Sequence, residues 1–129
     1  MHTQALRTYA PVVLRFAMCL VFLYFGTSQL SQPSIWTSVV PDWATSMSGM
    51  SANTIVHING WFEIIASLLL LVGVYARWVA LLLALHLFGI AASLGINPLG
   101  VRDFGLSFAT LAVAMYGEDA LTVMKTEKQ

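Results

Sequence analysis

TIVHINGWFEIIASLLLLVGVYARWVALLLALHLFGIAASLGI, residues 54–96, decides the fold class. It holds two apolar runs, about 54–74 and 77–96, broken only by Gly73-Val74-Tyr75-Ala76-Arg77. Each run has about the 20 apolar residues that a helix needs to cross roughly 30 Å of hydrocarbon. Five residues between two such runs allow a tight antiparallel hairpin and little else. The runs are rich in Leu and Ala and lack strand-like alternation. In hydrocarbon every backbone N–H and C=O must be paired inside the segment, which a helix does.

Working outward, an earlier run covers about 11–30 and a later one about 102–118. Pro11 suits a first helical position, where its missing N–H costs nothing. Asn97-Pro98-Leu99-Gly100 reads as the turn before the last run, with Pro98 ending one helix and Gly100 freeing the backbone. The last run is short and needs Arg102 at one interface and residues 117–121 at the other, or a thinned bilayer. The long connection 31–53 holds Pro33, Pro41, Trp36, Trp43, Met47 and Met50. Tryptophan favours the headgroup zone, so this loop is expected to lie along the membrane surface or cap the bundle. The expectation is an all-α protein: one domain over 1–129, a four-helix transmembrane bundle with a surface-lying loop between its first two helices.

Composition agrees. Hydrophobic residues make up 58% of the chain and charged residues 9%, against roughly 45–50% and 25% in soluble domains. So few charges cannot cover a polar surface, which leaves the lipid bilayer to face the rest, and a net charge of zero points away from nucleic acid and from a polybasic membrane-surface mode. One cysteine, Cys19, excludes an internal disulfide and a CxxC pair. Arg7 before an apolar run resembles a signal-peptide start, but the run is too long and no A-x-A site follows, so the segment reads as retained. Arg7, Arg77, Lys125 and Lys128 fall at one end of the bundle, and the long loop has no Lys or Arg. The positive-inside rule then puts both termini in the cytoplasm.

Each run carries a polar or small-residue stripe at steps of three and four, which keep residues on one helix face. The stripes are Arg15, Cys19, Phe22, Gly26 and Gln29; Asn53, His57, Gly60, Glu63 and Ser67; His86, Gly89, Ser93 and Asn97; and Asp103, Ser107, Thr110, Ala114 and Gly117. Polar groups are costly against lipid, so these faces should meet inside, with the small residues and hydroxyls serving mainly to pack helices.

Glu63 and His86 stand apart, both near mid-membrane. A buried carboxylate there must be protonated or held by a partner. Glu63 is either a structural bond to a neighbouring helix or part of a ligand or proton-relay site. His86 is either packed or shares a proton with Glu63. Arg15 lies about a turn inside its span, placed to snorkel to the interface or reach inward toward Glu63. Arg102 and Asp103 form an interfacial charge pair, with Asp103 read as a helix cap and Arg102 as its partner or an anion contact. Haem ligation by His57 and His86 is disfavoured by their different depths, and no metal site or catalytic triad emerges.

Three segments resemble the DoxX family of small integral membrane proteins. They are Leu14-Arg15 with FLYFGTSQL (22–30), Gly60-Trp61-Phe62-Glu63-Ile64 with LLLLVGVYAR (68–77), and Arg102-Asp103-Phe104-Gly105-Leu106. The resemblance implies a four-helix protein of the bacterial inner membrane, tied to redox or electron transfer. Arg15, Glu63, Arg102 and Asp103 occupy the matching positions, and Gln29 stands where many members have Lys. One reading, drawn from the polar interior together with the resemblance, is a quinone-like molecule bound as cofactor between the helices by Glu63, His86 and Arg15, with a redox partner subunit that brings electrons. Whether the chain itself is an enzyme stays open. The other reading is a non-enzymatic scaffold or anchor for a partner, or a small-solute pathway, which in a chain this small calls for a homo-oligomer.

Overall fold

A computed structural model describes residues 2–126. Among them are six helices and no strand: α1 (His2–Ser31), α2 (Pro33–Thr37), α3 (Asp42–Ser48), α4 (Ala52–Val72), α5 (Ala76–Leu94) and α6 (Pro98–Tyr116). α1, α4 and α5 are long and apolar enough to cross a membrane. Only 28–33% of their most apolar windows is buried inside the protein. The outward faces instead carry Leu20, Tyr24, Ile65, Trp78, Leu82 and Phe108, all well exposed. An apolar surface of this extent needs hydrocarbon around it. The protein is therefore a multi-pass membrane protein.

Local chemistry explains where the helices begin and end. Ser51 caps α4, its hydroxyl accepting from Thr54 N–H at 3.2 Å. Gly73 closes α4 in the left-handed region at φ +89°, and Tyr75 sits at φ +48° to complete the hairpin into α5. Asn97 caps α6 by accepting from Gly100 N–H at 2.9 Å.

Several expectations are corrected here. Pro11 lies inside α1, which starts at His2. The position needs only the Arg7 carbonyl to forgo its helical partner, and residues 2–10 are all exposed. Gly95, not Pro98, ends α5, and Pro98 opens α6. Asn97 is the cap and Asp103 lies a turn inside. Residues 31–53 fold partly into α2 and α3. Lys128 lies outside the described residues.

The long helices pack as two pairs. α1 lies closely on α4, and α5 closely on α6, while contacts between the pairs are thin. Gly26 and Gly60 let α1 and α4 touch: a Cβ on either would come within 3.0 Å of the other's carbonyl oxygen. Between α5 and α6 the buried face of α5 is Ala76, Ala80, Leu83, Ala84, Leu87 and Ala91. The stripes of α1 and α6 are wholly buried. That of α5 is not: Gly89, Ser93 and Asn97 are exposed and His86 is half-buried. On α4, Gly60, Glu63 and Ser67 are buried, Asn53 is exposed, and His57 is half-buried with Nδ1 2.8 Å from the Asn53 carbonyl.

The end of the bundle opposite α2 and α3 is closed by the chain itself. After α6, residues 117–126 turn back beneath α4, where Val123 N–H donates to Val72 O and Met124 N–H to Gly73 O, each at 3.2 Å. Thr122 packs directly on Gly73. Arg77 donates to the Ala114 and Met115 carbonyls at 3.2 and 3.3 Å, satisfying the end of α6.

Candidate functional site

The close crossing of α1 and α4 brings three polar side chains together. Gln29 Nε2 donates to Glu63 Oε2 at 3.1 Å. Asn59 Nδ2 donates to Gln29 Oε1 at 2.6 Å and to Glu63 Oε1 at 3.2 Å. Glu63 and Gln29 are buried. Both carboxylate oxygens thus accept from amides, the satisfaction that a buried carboxylate requires. Asn59 was not among the expected residues. Its signal was an amide four residues before a mid-span carboxylate, the spacing that puts two side chains side by side on a helix.

From the second pair of helices, α5 contributes His86. Its ring packs against Phe62 with centroids 4.7 Å apart. Its Nε2 is buried without a hydrogen-bond partner and lies 3.7 Å from Glu63 Oε1. That separation suits an ion pair when the imidazole is protonated but exceeds hydrogen-bond reach. Glu63 and His86 thus lie close together, with one polar atom left unsatisfied.

Around this cluster the thin contact between the helix pairs leaves a cavity of about 490 Å³. Its walls are mostly apolar, among them Val21, Phe25, Val56, Ile90 and Leu106, and Gln29, Asn59, Glu63 and His86 also line it. The segment carrying α2 and α3 roofs it. Trp36 Nε1 donates to Ser28 Oγ at 3.0 Å and its ring meets Phe25 edge-on at 5.5 Å, pinning the roof to α1. On α6, Arg102 Nε and Nη2 both reach Asp103 Oδ1 at 2.9 Å, and the guanidinium lies 4.7 Å over the Phe25 ring. This pair also lines the cavity. Among the described residues, no three His, Cys, Asp or Glu side chains are grouped to hold a metal ion.

A family model described as DoxX matches residues 10–95, well over half of the chain. The chain belongs to the DoxX family. The DoxX match takes in α1 to α5 with Arg15, Glu63 and His86, and stops before Arg102 and Asp103. No curated protein and no solved structure matches the chain.

The DoxX chain holds Arg15 elsewhere. It neither snorkels nor approaches Glu63 but is fully buried at the end where residues 117–126 fold back. Its Nε and Nη2 form a fork on Asp119, at 2.7 and 3.0 Å to Oδ2 and Oδ1. Its Nη1 donates to the Leu70 and Leu71 carbonyls at 2.8 and 2.6 Å, capping α4. Lys125 Nζ donates to the Asp119 carbonyl oxygen and, at 2.9 Å, to Thr122 Oγ1. Burial works against the charge on Asp119. The Arg15 fork, the Leu121 N–H and the charges of Arg15 and Lys125 outweigh it and hold the carboxyl below its ordinary 3.8. Sequence offered little signal for Asp119, an acidic residue in a polar tail.

Proposed function

We propose that this chain is a four-span protein of the bacterial inner membrane, with both termini cytoplasmic, that serves a redox system by binding a quinone in its cavity. α6 supplies the fourth span; its 19 residues reach about 28 Å at 1.5 Å each, and it packs closely on α5. Arg7, Arg77 and Lys125 at one end, against an Asp-paired Arg102 at the other, support the orientation.

The observation that carries the ligand reading is the unpartnered, buried His86 Nε2 at an apolar cavity. A flat apolar ring bearing carbonyl oxygens fits such a lining: apolar walls for the ring and one unmatched polar group for a carbonyl. A bound quinone takes up two protons along with two electrons when it is reduced, and a partner subunit would supply the electrons. His86 is the group that donates a hydrogen bond from Nε2. Glu63 orients it, and the amides of Gln29 and Asn59 hold the carboxylate where it can exchange a proton with the imidazole. Arg15, locked on Asp119, takes no part at the cavity.

Quinone extracted from protein purified in its native lipids tests this reading. His86→Phe keeps the ring packing on Phe62 and removes the nitrogen. It is expected to lower retained quinone about tenfold, the value of one buried hydrogen bond. Glu63→Gln is expected to lower it less. Equal and negligible quinone in the wild type and both variants would sink the proposal. The scaffold reading draws on a different feature, the Gln29–Asn59–Glu63 triangle that ties α1 to α4. Under it, Glu63→Gln lowers the melting temperature while redox activity in the membrane per folded protein is unchanged.

A further inference from the structure

We infer, resting on the reading of the cavity as a quinone site, that the ligand enters sideways from the lipid between α4 and α5, past Gly89. It is then a tailed, membrane-dissolved quinone and not a water-borne one. The cavity wall contributed by α5 includes Leu85, Gly89 and Ser93. These residues follow at steps of four, so they share one helix face. All three are also exposed, Leu85 at 59%. A face that both lines a cavity and looks outward is the rim of an opening. His86, on the adjoining side of α5, touches Phe62 of α4, so the rim lies where α5 confronts α4, two helices in thin contact.

The depth of this rim sets what it opens onto. Gly89 lies five residues before Leu94, the last residue of α5, or about 8 Å inside at 1.5 Å per residue. That places it in the apolar span, in the leaflet nearer α2 and α3. The rim suits hydrocarbon chemically, because Ser93 Oγ donates to the Gly89 carbonyl at 3.0 Å and its hydroxyl hydrogen is paired. Toward water, Val40 and Pro41 form part of an apolar roof whose Trp43 is itself exposed, and the Arg15–Asp119 clasp lies buried toward the far end. A Cβ on Gly89 would meet nothing within 4 Å, so glycine there serves no helix packing and leaves the rim open.

Gly105 provides a matched control. It is exposed on α6, a Cβ on it would also meet nothing within 4 Å, and it does not line the cavity. Gly89→Phe is expected to lower polyprenyl quinone retained from native membranes about tenfold. Gly105→Phe is expected to leave it at the wild-type level, with both variants melting at or above the wild-type temperature. Wild-type retention in Gly89→Phe overturns the side entry.

A second measurement does not depend on quinone. A nitroxide on Gly89→Cys, in a Cys19→Ala background reconstituted in lipid, is expected to collide with dissolved oxygen far more than with a water-soluble nickel chelate, as at Gly105→Cys. Preference for the chelate at residue 89 overturns the side entry whatever the ligand. A lipid-exposed nitroxide together with a quinone-free wild type keeps residue 89 in hydrocarbon, as the side entry requires, and removes the quinone reading.

Discussion

Asp119→Ala is expected to destabilise the folded protein by about 3–5 kcal/mol, the usual cost of leaving one member of a buried ion pair without the other. Arg15 is fully buried, and Asp119 is the carboxylate that forks onto it. With Asp119 removed, the Leu70 and Leu71 carbonyls still accept from Nη1, but the guanidinium charge loses its counter-ion in a site that water does not reach. The same change frees the turn that Asp119 makes with Leu121 N–H, on which the return of residues 117–126 depends. Thermal or detergent titration of the purified protein measures the loss. Asp119→Ala combined with Arg15→Met should recover part of it, since the second change removes the stranded charge. Recovery would be incomplete because two α4 carbonyls then lack their donor. A loss under about 1 kcal/mol, typical of an exposed ion pair, would show that this clasp is open in solution.

The same pair sets a pH dependence with a definite sign. Asp119 is held below its ordinary 3.8 in the folded protein, so the unfolded chain takes up its proton first as pH falls. The contribution is therefore complete above about pH 4–5 and is lost as pH drops through the folded value. Asp119→Asn should flatten the stability curve below pH 4 while lowering it at neutral pH. An unchanged acid limb in that variant would assign the acid sensitivity to other carboxylates.

The chain shows which physical signals survive in a membrane sequence. The stripes of α1 and α6 were legible because each combines charged or amide groups with small residues, and only the interior accepts both. Residues Arg15, Gln29, Asp103 and Thr110 are all buried. The same rule failed on α5 for a local reason. Ser93 satisfies its hydroxyl on the carbonyl four residues back, so exposing it costs little, and the buried face is built from alanine. Alanine is apolar in either setting and marks no side. That Glu63 and His86 share a level in the membrane was legible from depth alone, since equal distance from the span ends is a one-dimensional fact. Asn59 needed angular resolution finer than a stripe that already ran through Gly60. Asp119 needed a contact 104 residues apart in sequence, between a buried helix and a polar tail with no periodicity. The turn between α5 and α6 was placed correctly but misassigned in detail, because Pro98 is as good a helix opener as a helix stop.

That turn makes the second large prediction. Gly100→Ala is expected to cost about 3 kcal/mol, the upper part of the range for forcing extra volume into a packed site. A Cβ on Gly100 would lie 1.9 Å from the Gly95 carbonyl oxygen and 3.1 Å from its carbon. The obstacle is backbone, so no rotamer change relieves it. Gly95 itself holds φ +78° and ψ −159°, a region in effect reserved for glycine, so it cannot shift its carbonyl without leaving the one conformation that turns the chain. The Asn97 cap is coupled to the same atoms: its side chain accepts from Gly100 N–H, and its own N–H donates to Gly95 O at 3.2 Å. Moving either glycine therefore breaks the cap as well. The damage should reach the cavity, since Leu94 and Leu99 flank the turn and line it, with Arg102 and Asp103 a turn further on. Gly100→Ala is thus expected to lower both the melting temperature and the quinone retained per folded molecule, whereas Gly105→Ala, on the open face of the same helix, should raise stability slightly through better helix propensity. Equal stability of the two alanine variants would mean that the α5–α6 turn yields where the packing says it cannot.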